Sequence, residues 1–251
     1  MDFAIAKYGE LSSGPIRIFH LPGDKAGAES VAQAARTSME LFASWFGPLP
    51  GSSALTFIEI PEGFGSQADV TTVLQTASGF KEPKRLHEVY HEISHLWNVP
   101  DTDLPSPRWN EGLASFLEDL ADQEISGQPL VDKRTSWTIN RLRTELPKHP
   151  EWKTTPFVDY GRANMTGLSY SLGNVFFDLL YRLAGREAFN KIIAEHVAKG
   201  SGSMNDLMQL ARKHGGAAVA PLIEDFVYTT KWTERVGQAK DVTELLALYK
   251  R

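Results

Sequence analysis

Between Lys84 and Trp97 the chain reads KRLHEVYHEISHLW, and this stretch restricts the fold more than any other. Leu86, Val89, Tyr90, Ile93, Leu96 and Trp97 recur at helical spacing around three histidines, His87, His91 and His95. The pattern predicts a helix from Lys84 that is buried along one stripe and carries imidazoles beside it. Histidines four apart on a helix share a face, about 6 Å apart along the axis, and can converge on one ion; histidines eight apart cannot. H-E-x-x-H occurs twice, at 87–91 and at 91–95, and spacing alone leaves open which pair would serve.

The flanking sequence suggests what such a helix packs against. PIRIFHL reads as a short strand, and AGAESVAQAARTSMELFASWFG places Val31, Ala34, Ala35, Met39, Phe42 and Phe46 on one helical face. After the break GPLPGSS, the run ALTFIEIP reads as a buried strand, and DVTTVLQT as another, so that residues 1–80 form an α+β segment on a small sheet. Pro100, Pro105 and Pro107 enforce a loop after Trp97, and NEGLASFLEDLADQEI opens a second helix. The remainder is mostly helical, with VFFDLLY as core, and a composition shift near residue 130 separates an α+β lobe, 1–130, from a helical lobe, 131–251, within one domain.

Composition narrows the functional classes. The absence of cysteine excludes a thiolate nucleophile, a cysteine zinc site and disulfides. A net charge of -5 without a basic stripe argues against nucleic acid as a partner. No stretch reaches the length needed to cross a bilayer, and the start, MDFAIAKYGELSSG, lacks the pattern of a signal peptide.

A hydrolytic zinc site uses three protein ligands and leaves a position for water. Glu111, in RWNEGLASFLE, stands at the start of the second helix, fifteen residues beyond His95 and nineteen beyond His91 when the intervening residues are counted. Either loop length could bring the two helices together. HEISHLW followed by NEGLASFLE resembles the zinc-site signature of the aminopeptidase N family, which includes leukotriene hydrolase: H-E-x-x-H-x-W, a loop, N-E-G and a further glutamate. HLWNV is also similar to the glycyl aminopeptidases, and all belong to the gluzincin plan.

The resemblance selects the second motif. It implies His91, His95 and Glu111 as ligands of one Zn²⁺ ion, Glu92 as the general base, and Glu118 as the carboxylate that orients a ligand histidine. GLSYSLGNVFFDLLYRLAGREAF resembles the segment in which the family keeps a catalytic tyrosine, here Tyr170, and FASWFGPLPGSSALTFIEIPEGFG resembles its run into the edge strand of the active-site cleft. The implied fold is an α+β, thermolysin-like metallopeptidase catalytic domain with an N-terminal mixed-sheet lobe and a C-terminal helical lobe. The implied substrate is a peptide. The β-sandwich that usually precedes this domain has no match here, which leaves two alternatives, a naturally minimal protein or a fragment of a larger one. The resemblance leaves the compartment open, with a bacterial exported or envelope-associated setting as the expectation.

Two departures stand out. The connection between His95 and Glu111 is shorter than the family's. Where the family has G-x-M-E-N, whose glutamate grips the substrate's amino terminus, this chain has GFGSQADV. Gly65 and Gln67 become the candidate substrate-binding residues there, and Ala68, or Gln67 with a one-residue slip, replaces the glutamate. The competing expectation is a peptidase-like module that holds zinc and binds a peptide or protein without cleaving it. His87 and Glu88 are expected as a helix-face histidine and a solvated charge.

Overall fold

The computed structural model describes residues 4–49, 54–69, 71–98 and 101–250. Contacts divide the chain into two units, one of residues 1–97 with 124–126, the other of residues 98–123 with 127–251. This division follows packing, whereas the boundary expected near residue 130 follows composition.

The first unit is built on a five-stranded mixed sheet in the order β1-β2-β3-β5-β4. Strands β1 (Gly9–Ser13) and β2 (Ile16–His20) form a hairpin whose turn uses Gly14 at φ 61°. β3 (Leu55–Ile60) and β5 (Thr72–Thr76) continue parallel to β2, and β4 (Gln67–Asp69) closes the edge antiparallel to β5. Ile16, Ile18, Phe57 and Val73 are fully buried. Helix α1 (Lys25–Phe46) packs against β2, and its buried stripe includes Ala28, Val31, Ala35 and Phe42, matching the expected apolar face except at the half-buried Met39. Helix α2 (Ala77–Lys81) leads to α3 (His87–Ser94), which packs on α1.

The expected strands at 16–20, 55–60 and 72–76 are present. β1 and β4 escaped expectation because GELSS and QAD have too few β-branched or apolar residues to form a legible run. The helix expected from Lys84 is also more broken than its stripe suggests. A 3₁₀ turn, Pro83–Arg85, precedes α3, and the histidine helix tightens again to 3₁₀ at His95–Trp97. Proline supplies no amide donor and fits a first turn. At the far end Ser94 Oγ donates to the His91 carbonyl at 2.7 Å, a local bond of the kind that bends helices. Pro100, expected in the following loop, lies outside the described residues.

The second unit is helical. It contains α4 (Trp109–Ser126, whose last three residues group with the first unit), α5 (Leu130–Glu145), α6 (Gly167–Ala184), α7 (Arg186–Ala198) and α8 (Met204–His214). Then come α9 (Val219–Ile223), a π-helical turn at Glu224–Tyr228, α10 (Trp232–Gln238) and α11 (Val242–Ala247). α6 is the central helix: Leu172, Val175, Phe176, Phe177, Leu179 and Leu180 are all fully buried, and α5, α7, α9 and α11 pack on it. The run VFFDLLY is therefore core, with each large side chain stabilising the fold by about 1.5–3 kcal/mol through burial. Among the described residues, no helix is long and apolar enough to cross a membrane.

Candidate metal centre

The four-residue spacing brings the imidazoles of His91, on α3, and His95, at the start of the 3₁₀ turn after it, together, with ring centroids 5.0 Å apart and planes at 76°. Both rings are half-buried, while Glu92 between them is 6% exposed. Trp97, two residues past His95, fixes this end of the segment. It is 1% exposed, donates its indole N–H to the Gly47 carbonyl at 2.9 Å, and lies 5.7 Å from the Phe42 ring of α1. The tryptophan of the H-x-W pattern is thus an anchor that holds the His95 turn to the end of α1.

His87 starts α3, eight residues before His95. Its neighbour Glu88 departs from the expected solvated charge: its carboxylate pairs with Arg85 at 2.5 Å and accepts from the Gln75 amide at 3.4 Å. The edge strand β4 packs against α3 and the 95–97 turn. Ala68 pairs in register with the buried Val73, so its side chain lies on the Val73 face, while the exposed Gln67 is on the other. Gly65, at φ 73°, forms part of the turn into this strand.

In the second unit Glu111 occupies the first turn of α4 and is 8% exposed. The helix is placed by the loop before it. Ser106 Oγ accepts from the Arg108 amide at 2.9 Å, Ser169 Oγ donates to the Pro107 carbonyl at 2.6 Å, and a Cβ at Gly161 would collide with the carbonyls of Pro105 and Ser106. α4 then meets α6 main chain to main chain, since a Cβ on Gly112 would lie 2.5 Å from Gly173 Cα. A second tie is the Asn174 amide, which donates to buried Asp119 at 2.9 Å; Asp119 also pairs with Arg134 at 2.8 Å. Burial, reinforced by the charge of Glu118, pushes the Asp119 carboxyl up to about 6.

Tyr170 lies in the first turn of α6 and is 37% exposed. Glu118 lies two helical turns beyond Glu111 on the same side of α4 and is half-buried. A residue that the spacing argument misses is Arg108. Its Nη2 pairs with Glu111 Oε1 and donates to the Tyr170 hydroxyl at 3.4 Å. No sequence signal marks an arginine just before a helix as part of a site.

One ligand atom from each of His91, His95 and Glu111 lies within 4.8 Å of the other two, and the three could hold a metal ion. Two imidazole nitrogens with one carboxylate oxygen are a donor set that suits zinc.

No family model matches the chain. It is 22% identical over 247 residues to the alanine/arginine aminopeptidase of Saccharomyces cerevisiae, covering 89% of this chain and 28% of that protein. Among solved structures, the M1 zinc metallopeptidase of Deinococcus radiodurans superposes with a TM-score of 0.63 at 19% identity, over 87% of this chain and 50% of that one. Native yeast LTA4 hydrolase superposes with a TM-score of 0.72 at 15% identity, over 88% of this chain and 39% of that one. The chain thus spans half or less of the length of these relatives. It has the α+β fold of the M1 peptidase catalytic domain, and its resemblance to the aminopeptidase N and leukotriene hydrolase family holds in sequence and in fold.

Proposed function

We propose that this chain forms the catalytic part of a zinc-dependent metallopeptidase that hydrolyses peptide bonds, with His91, His95 and Glu111 holding one Zn²⁺ ion. The observation that carries this reading is the convergence of those three ligand atoms within 4.8 Å. Bound zinc would supply a Lewis acid that polarises a peptide carbonyl and brings the pKa of a water toward neutrality. Neutral imidazoles at 91 and 95 serve as nitrogen donors, which ties metal binding to a pH at which they are unprotonated.

Glu92 takes the proton of the attacking water and passes it to the departing amine. Its low exposure keeps bulk water from competing for that proton. The Tyr170 hydroxyl donates a hydrogen bond to the oxygen on which charge develops, where such a bond contributes most. Glu118 orients a ligand histidine. In this reading the chain is aminopeptidase-like in chemistry but not in end recognition: position 68, on the α3-facing side of β4, carries alanine, and Gly65 and Gln67 contribute main-chain and amide contacts to the substrate. The longer relatives are consistent with a parent protein in which further domains complete substrate selection.

The test is elemental analysis with a peptide-pool assay. About one zinc per chain is expected in wild type, retained in His87→Ala and lost in Glu111→Ala. Glu92→Gln should keep the zinc and lose hydrolysis. Equal products from wild type and Glu92→Gln would leave only the zinc-containing binding module.

A further inference from the structure

Arg108 adopts a left-handed conformation, φ 57° and ψ 39°, at the N-terminal boundary of α4. Glycine or asparagine would meet this backbone requirement at lower cost, because any Cβ crowds the following carbonyl there, glycine has none and asparagine offsets the cost with a local hydrogen bond. A non-glycine residue held in this region is an outlier whose side chain merits a functional explanation. The backbone is kept in place by the Ser106 and Ser169 hydroxyls described above, and the guanidinium is 49% exposed where it meets the 10% exposed Glu111 carboxylate.

We propose that Arg108 is a positioning residue of the metal centre, using one nitrogen, Nη2, to fix the Glu111 carboxylate and the Tyr170 hydroxyl relative to each other. This assignment rests on the metallopeptidase reading. Arg108 engages Oε1 of Glu111, and a carboxylate has a second oxygen with which it can ligate a metal. Guanidinium has no acceptor, so the Tyr170 oxygen must accept from it. A hydroxyl that accepts from Arg108 still has its own O–H to donate, which is what a developing oxyanion requires. The guanidinium also lies over the Tyr170 ring, 5.8 Å from its centroid, which limits how far the ring can swing.

A nearby cation has a second, opposing effect, because it repels a divalent metal. The sign of the change on removing it therefore discriminates. If Arg108 orients Glu111, its loss weakens zinc binding; if it is only a neighbouring charge, its loss tightens binding. Groups that hold metal ligands in place typically contribute 10–100-fold in metal affinity or activity.

The experiment is zinc affinity by chelator competition for wild type, Arg108→Gly, whose backbone suits φ 57°, and Arg108→Lys. Arg108→Gly should bind zinc about 10–100-fold more weakly, with Arg108→Lys between it and wild type. Arg108→Gly should also lower kcat with little change in KM, and Tyr170→Phe should cost less in that background than in wild type. Zinc bound by Arg108→Gly as tightly as by wild type, or more tightly, overturns the assignment. If Arg108→Gly fails to fold, the same affinity criterion is applied to Arg108→Lys. Additive effects of Arg108→Gly and Tyr170→Phe on kcat overturn the link to the tyrosine. A wild type that binds no zinc overturns the metal centre itself, and this assignment with it.

Discussion

The two groups of residues that make up the candidate centre are built by different physics. His91, Glu92 and His95 are neighbours in sequence, and one short helix with its terminal turn sets their spacing. Arg108, Glu111 and Tyr170 come from a loop and two helices, separated by up to 62 residues, and their arrangement depends on the contact between α4 and α6. The first group should tolerate disturbances in distant packing; the second should not. Local geometry sets the paired imidazoles and Glu92, while tertiary packing sets the Glu111 carboxylate and the Tyr170 hydroxyl.

This contrast can be sharpened by perturbing each group alone. The largest effect is expected at Glu92→Gln, with a loss of roughly 10²–10⁴ in rate and no change in zinc content, as read by steady-state kinetics beside elemental analysis.

Acid should act on the packed group. His196 is 1% exposed, its ring sits 5.4 Å from that of Trp109 at the start of α4, and burial holds its pKa down to about 4. A histidine with a depressed folded-state pKa contributes stability that is present above its unfolded value of 6.5 and is lost as pH falls through 4. That loss amounts to about 3 kcal/mol at most, and replacing His196 with glutamine should flatten this part of the stability curve relative to wild type. Hydrogen exchange should quicken first in α4 and α7, with α3 lagging; simultaneous loss of protection in α3 would break the contrast.

A steric test follows. Gly112→Ala places a methyl group 2.5 Å from Gly173 Cα and should cost about 1–3 kcal/mol, seen as a lower Tm. Gly167→Ala, in the first turn of α6 with open space around its Cβ position, should be neutral or slightly stabilising. Equal effects at the two glycines would remove the argument for close helix contact. Among the destabilising changes the mildest is expected at Trp97→Phe, where the lost bond to Gly47 should cost about 1 kcal/mol in denaturant unfolding.

The same contrast explains what could be read from the chain. The pairing of His91 with His95 was legible because helical periodicity is local, and the family-like NEG pattern pointed to Glu111 as the third member of the candidate group. The core run VFFDLLY was legible because its side chains are nearly all apolar. Spacing alone could not choose between the two overlapping motifs. The strands GELSS and QAD were illegible because sheet pairing, more than their own side chains, stabilises them. Arg108 was hidden because nothing in RWNEG announces a left-handed backbone, which here is imposed by contacts with residues about sixty positions away. The 3₁₀ turn at His95 was hidden for a similar reason: the stripe of apolar residues continues through it, and only the bonds of Ser94 and Trp97 reveal the change.

The contact between Gly112 and Gly173 has a consequence for how this chain could be retuned. Where two helices touch through side chains, a change of rotamer or a swapped methyl group can shift their separation by small steps. Here the gap is set by the radii of main-chain atoms, which have no rotamers to change. The interval between the helix that carries Glu111 and the helix that carries Tyr170 is a hard stop, and any retuning would have to come from the loops and side chains around it.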